Sequence, residues 1–136
     1  MEPELYPYAE KLVEQAVQAR ANAYAPYSNF SVGAALLTKS GKIYTGCNIE
    51  NAAFGAGICA ERVAVSAAIS QGERNFTALA VAAGDTPVSP CGICRQFLRE
   101  FGDFPVFMAS AQGEYTVTTV EALLPGAFTS FTSDNK

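Results

Sequence analysis

Histidine is absent from the 136 residues. That removes every histidine-based catalytic triad, every histidine general base and every histidine metal ligand. Basic residues are also scarce. Nine Lys and Arg stand against 13 Asp and Glu, for a formal net charge of -4, and no basic run occurs. Chains that grip polynucleotide neutralise phosphates with clustered Lys and Arg. Large DNA or RNA partners are therefore not expected, and neither is a polybasic attachment to a membrane. No segment approaches the length of a membrane span, and the start, Met1 to Tyr6, is acidic with no apolar stretch behind a basic flank. No signal peptide is readable, which makes the cytoplasm the expected location. Internal repeats, low-complexity tracts and linkers rich in Pro, Gly or Ser are missing too. One domain over residues 1–136 is expected, with peripheral tails at 1–7 and 129–136.

What is present describes a folded chain. Hydrophobic residues make up 49% and charged residues 16%, which argues for a globular core and against disorder. The length suffices for a core without disulfides. So low a charged fraction also suits a surface partly buried in an oligomer. In a reducing compartment the four cysteines point to metal or catalysis more than to disulfides.

Periodicity sets the elements. Leu12, Val13, Ala16, Val17 and Ala21 fall at roughly helical spacing between Tyr8 and Tyr24, and Pro26 ends that helix. Ser31 to Leu37 reads as a strand that turns through Lys39-Ser40-Gly41-Lys42 into an antiparallel partner, Ile43 to Cys47. Asn51 to Gly57 reads as a loop, and Cys59 to about Ser70 as a helix stopped by Gln71-Gly72. Phe76 to Ala83 is a strand apolar enough to be covered on both faces. Ser89 is the expected N-cap, with Pro90 first in a helix that runs from Cys91 to Phe101. Pro105 to Ser110 and Tyr115 to Thr118 read as strands, and Glu121 to Leu124 as a short helix. This order predicts an α/β fold. It is a three-layer α/β/α sandwich around a mixed central sheet of about five strands.

Two helix starts carry the chemistry: Cys59-Ala60-Glu61 and Pro90-Cys91-Gly92-Ile93-Cys94. Cys91 and Cys94 are three residues apart, so they share one helical face. Cys59 can supply a third thiolate. Three protein ligands on Zn²⁺ leave the fourth tetrahedral position open, as catalytic zinc requires. Cys47, in the hairpin strand, is expected to be an ordinary buried thiol. Helix N-termini favour the ionised thiolates. Three thiolates leave the centre at net charge -1, so Arg62 and Arg95 are candidates to donate hydrogen bonds to the sulfurs. Arg62, next to Glu61, is the stronger candidate. Glu61 stands two residues from Cys59, about 200° away in a regular helix. Both face one site only if Cys59 sits at the helix start with a non-helical backbone. Glu61 would then be the general acid/base beside the metal.

Two other readings of the cysteines exist. Cys91-Gly92-Ile93-Cys94 alone fits a redox pair, and four cysteines including Cys47 would make a closed, structural zinc site. Cys59 with Glu61 weighs against the redox pair, and the place of Cys47 in the hairpin strand weighs against the closed site. Asn48 and Glu50, taken alone, read as caps of a strand end and a turn.

Cys-Ala-Glu followed by Pro-Cys-x-x-Cys resembles the cytidine deaminases, with Cys59 as the first zinc ligand. The likeness runs over roughly residues 10–128. It includes the stretch from Tyr24 to Ala34, Gly46-Cys47-Asn48-Ile49-Glu50-Asn51 and Leu123-Leu124-Pro125-Gly126-Ala127-Phe128, which look like the short, homotetrameric, free-nucleoside branch. The resemblance implies a hydrolase of pyrimidine salvage with one Zn²⁺ per chain. Cytidine and deoxycytidine would become uridine and deoxyuridine plus ammonia, by attack of zinc-bound hydroxide at C4 with Glu61 shuttling protons. It also implies that Asn48 and Glu50 bind ribose hydroxyls, that Phe30 packs on the base and that the Ala60 N–H meets the pyrimidine carbonyl. Phe128 would cover the base in a neighbouring subunit's site. Phe54 stands where many relatives have tyrosine, so the contact a tyrosine hydroxyl would make there is not expected, while packing by the ring is. A deaminase of an aminopyrimidine nucleoside antibiotic and a non-catalytic zinc or thiol protein are the competing functions.

Overall fold

The computed structural model describes residues 6–130. Its first helix, α1 (Ala9–Ala19), buries Ala9, Leu12, Val13 and Ala16. That spacing is the stripe of an amphipathic helix. A single 3₁₀ turn, Arg20–Asn22, follows, and Ala23 is extended. The chain then forms the hairpin β1 (Gly33–Thr38) and β2 (Ile43–Cys47). Gly41, at φ 91°, closes its turn by donating to Thr38 O at 3.0 Å. The remaining elements are α2 (Ala60–Ser70), β3 (Phe76–Ala82), α3 (Gly92–Arg99), β4 (Pro105–Ala109), β5 (Tyr115–Thr119) and α4 (Val120–Leu123). The five strands lie in the order β2-β1-β3-β4-β5. β3 and β4 are parallel and the other neighbours antiparallel, so the predicted mixed sheet is present.

Alternation along the strands makes two cores. Ala34, Leu36, Leu79 and Val106 face one way, against Ala64, Val65 and Ala68 of α2 and Leu98 of α3. Ala35, Ala78, Ala80, Ala82, Phe107 and Ala109 face the other way, under α1. Alanine dominates that second face, which lets α1 lie close to the sheet. Phe107 fills the deeper space there and meets Tyr6, Tyr8 and Tyr115 edge-on, at centroid distances of 5.3, 5.9 and 5.6 Å. Tyr6 falls in the segment expected to be peripheral, yet its ring is part of this cluster. An aromatic next to a core phenylalanine gains more by burial than by exposure. Residues 1–5 and 131–136 of the two expected tails lie outside the described residues.

The position of α2 is set by Gly46 of β2. A methyl group there would stand 2.5 Å from Ala64 N and 2.6 Å from Ala60 O. Glycine therefore lets the first turns of α2, which hold Glu61, rest directly on the strand. Gly46→Ala is expected to push α2 outward and destabilise the protein by about 1–3 kcal/mol, the usual cost of overpacking. Urea unfolding measures this; an unchanged midpoint would show that α2 has slack over β2.

Candidate active site and metal centre

Cys59 and Cys91 are each the N-cap of a helix. Cys59 has φ -77° and ψ 155°, and Cys91 has φ -69° and ψ 170°. Both are extended, so their side chains are free of the helical spiral. The Cys59 carbonyl already accepts from Arg62 N and Val63 N, at 3.1 and 3.2 Å, and so starts α2. The geometry that the Cys59–Glu61 spacing demanded is thus met. Cys94 lies inside α3, one turn beyond Cys91. Ser89, the expected N-cap, does not cap α3. Its hydroxyl instead accepts from Arg95 Nη2 at 2.7 Å, and Pro90 lies before the helix.

The two helix starts bring three sulfurs together. Cys59, Cys91 and Cys94 Sγ lie within 4.8 Å of one another, and Cys59 and Cys91 are 3.7 Å apart. Tetrahedral zinc with bonds of about 2.3 Å puts its sulfurs about 3.8 Å apart. The donor set therefore fits zinc. Among the described residues Cys47 is not part of this group. It is half-buried in β2, paired with Gly33.

The charges around the sulfurs are uneven. Hydrogen bonding from Cys94, and then from Arg62, pulls the Cys59 thiol well below its ordinary range, although burial opposes this. The same sharing with Cys59, together with burial and the Glu61 charge, pushes Cys94 upward. A divalent ion displaces such a retained proton. Arg62 Nη2 donates to Cys59 Sγ at 3.6 Å, while its Nε is buried with no hydrogen-bond partner. Arg95, the other candidate, touches no sulfur. Its donors go to Pro90 O at 2.8 Å, Leu123 O at 2.8 Å and Ser89 Oγ. The Leu123 carbonyl, at the end of α4, and the Pro90 carbonyl, just before α3, take its donors instead. Glu61 is only 3% exposed. Burial, above all, raises its carboxyl to about 7, and Cys59 adds to the rise. A carboxyl in that range can both take and give a proton near neutrality.

A cleft of about 750 Å³ opens over the sulfurs. Cys59, Ala60, Glu61, Phe30, Asn48 and Glu50 all line it. Asn48 Oδ1 accepts from Val32 N and its Nδ2 donates to Phe30 O, both at 2.9 Å. Glu50 Oε1 accepts from Tyr27 N at 2.9 Å and Ser28 N at 3.2 Å, and Oε2 accepts from the Ser28 hydroxyl. These bonds, the hydroxyl's first, hold Glu50 below the usual carboxylate range. Both side chains brace the segment from Tyr27 to Val32, as the capping reading had it. Each keeps further hydrogen-bonding capacity toward the cleft. Phe54, 85% exposed, also lines the cleft. Phe128 does not line the cleft of its own chain. It is 51% exposed, and its backbone is held by Gln96, which donates Nε2 to Phe128 O at 2.7 Å and accepts from Phe128 N at 3.4 Å. Sequence reasoning assigned nothing to Ser28 or Gln96. Ser28 had a local signal, since its hydroxyl also accepts from Phe30 N two residues on, a serine turn. Gln96 had none.

The model of the cytidine and deoxycytidylate deaminase zinc-binding region matches residues 7–110. The chain belongs to the cytidine and deoxycytidylate deaminase family. A cytidine deaminase of Sporosarcina psychrophila is 54% identical over 122 residues, covering 88% of this chain and 90% of the relative. One of Halalkalibacterium halodurans is 51% identical over 124 residues, covering 88% and 93%. The crystal structure of cytidine deaminase from Burkholderia pseudomallei superposes with a TM-score of 0.84 at 48% identity, covering 87% of this chain and 97% of that one. The zinc-binding family and the Cys59/Cys91/Cys94 cluster agree on one zinc per chain.

Arg62→Gln removes the charged donor to Cys59 and keeps a side chain of similar reach. Turnover is expected to fall by about tenfold or more while the unfolding midpoint moves little, since charge-assisted bonds carry about 1.5–3 kcal/mol. Steady-state kinetics beside thermal unfolding check this; unaltered kcat would mean the sulfurs do without it.

Proposed function

We propose that this chain hydrolyses cytidine and deoxycytidine to uridine and deoxyuridine plus ammonia. One observation carries the reading: a carboxyl buried beside three converging sulfurs, in the lining of a cleft that Asn48 and Glu50 also line. A zinc ion held by Cys59, Cys91 and Cys94 supplies Lewis acidity that makes water a nucleophile near neutral pH.

The chain's own residues then orient the base and move protons. Ala60 is the first residue of α2, so its N–H has no partner within the helix and can donate to the pyrimidine carbonyl. Phe30 packs against the ring and holds C4 toward the sulfurs. Glu61 accepts a proton from the attacking water and delivers one to N3. It then takes the remaining proton from the new C4 hydroxyl and passes it to the amino group as the C4–N bond breaks and ammonia leaves. The new C4–O bond becomes the carbonyl of uridine. Asn48 and Glu50 receive the ribose hydroxyls, and their existing bonds to Val32, Phe30, Tyr27 and Ser28 fix them before substrate arrives. That ordering lowers the entropy lost on binding. Arg62 supports the thiolates.

The assembly belongs to the same proposal. We read residues 1–136 as a single nucleoside deaminase domain that forms a homotetramer in which Phe128 covers the base in a neighbour's cleft. Phe54 and Ile93, at 85% and 65% exposure on the cleft rim, are the apolar surface such contacts would cover. No helix among the described residues is long and apolar enough to cross a membrane. All four cysteines are free, which suits a reducing compartment such as the cytoplasm. Hydrolysis of a free nucleoside is a salvage reaction.

Glu61→Gln is expected to keep its fold and about one zinc per chain yet lose roughly 10²–10⁴-fold in kcat, the share of a positioned proton carrier. Metal analysis and loss of the aminopyrimidine absorbance measure the two halves. Near-normal turnover would end the proton role. Cytidine is expected to have a far higher kcat/KM than free cytosine, because the base alone leaves Asn48 and Glu50 without ligands. A preference for cytosine would overturn the ribose assignment.

A further inference from the structure

Cys91 differs from the other two sulfurs in how it is held. It is exposed, whereas Cys94 is buried and Cys59 half-buried. It also follows a stretch, residues 83–90, that has neither helix nor strand. A ligand on irregular chain needs something to fix it, because metal affinity depends on groups that hold the ligands in place.

Arg95 supplies that restraint. Its main-chain N–H donates to Cys91 O at 3.0 Å. Its Nε donates to Pro90 O at 2.8 Å and its Nη2 to Ser89 Oγ at 2.7 Å, so the two residues before Cys91 are both tied. The third donor, Nη1, reaches Leu123 O at 2.8 Å, the last residue of α4. That helix is itself anchored. Val120 is fully buried, and Glu121 N donates to Asp103 Oδ1 at 2.8 Å. One guanidinium thus spans from a fixed helix end to the approach of a metal ligand, while its backbone caps that ligand's own carbonyl. The three acceptors are all neutral oxygens lying in different directions. A planar fork serves them together, and the single ammonium of lysine cannot.

We propose that Arg95 is a positioning residue that fixes Cys91 and thereby sets how tightly the metal is held. This rests on the reading that Cys59, Cys91 and Cys94 bind zinc. It gives the two arginines separate tasks. Arg62 meets a sulfur, and Arg95 meets the chain that carries one.

The test is zinc affinity and release in the full-length protein, by competition with 4-(2-pyridylazo)resorcinol, beside the thermal midpoint of the metal-stripped form. Arg95→Ala is expected to bind zinc about 10–100-fold more weakly, the usual cost of losing a group that orients a ligand, and to release it faster. Arg95→Lys should recover only part. Ser89→Ala, which removes one acceptor and leaves the guanidinium, should show a smaller loss in the same direction. A merely structural arginine would lower the midpoint of the stripped protein and leave the zinc affinity of folded molecules at the wild-type value. That result overturns the proposal. If Arg95→Ala does not fold, wild-type affinity in Ser89→Ala overturns it equally. Cys91→Ser separates the two readings. If that variant keeps wild-type affinity, the three-cysteine site itself is wrong. If it loses zinc while Arg95→Ala and Ser89→Ala do not, the fault lies with the role given to Arg95.

Discussion

Everything at the site depends on two helices beginning against each other. A sulfur at a helix start escapes the 3.6-residue spiral, and this alone allows Cys59 and Glu61 to share a site while two residues apart. The same placement aims the positive ends of two helix dipoles at the sulfurs, which favours thiolate over thiol. The sheet arranges the meeting. β3 runs parallel to β4, so α3 must cross between them and start at the edge where β3 ends. Gly46 lets α2 settle onto β2 until its own start reaches that edge.

Building such a centre without histidine has an electrostatic cost. Three thiolates overcompensate a divalent cation, whereas neutral imidazoles would leave it fully electrophilic. The chain answers with a guanidinium on Cys59 and with a carboxyl kept out of water. Burial raises Glu61 to about 7, which avoids placing a permanent fourth negative charge beside the sulfurs. The same desolvation that costs the carboxylate its hydration brings its titration toward neutral pH.

Much of this was legible from residue order. The helical stripe of α1, the Lys39-Ser40-Gly41-Lys42 turn and the nearly continuous apolar run of β3 are local patterns, and the elements follow them closely. The metal ligands were legible because cysteine spacing and helix starts are also local. What escaped was pairing at long range. Ser89 carries every mark of an N-cap, but Arg95 takes its hydroxyl, so the cap falls to Cys91. No spacing rule foretells that Arg95 will reach Leu123, 28 residues away, or that Gln96 will bracket the backbone of Phe128. Asn48 and Glu50 fell between the two cases. Their bracing role could be read from turn chemistry, whereas their place in the cleft with the sulfurs emerges only from the folded chain.

The three sulfurs also form a gradient from interior to solvent: Cys94 enclosed, Cys59 intermediate, Cys91 outermost. Coordination bonds of equal strength would then differ in how readily they are replaced, since an incoming thiol or mercurial can approach only from outside. On the metal-free chain a thiol-directed reagent therefore meets Cys91 first and Cys94 last, in the order of their depth.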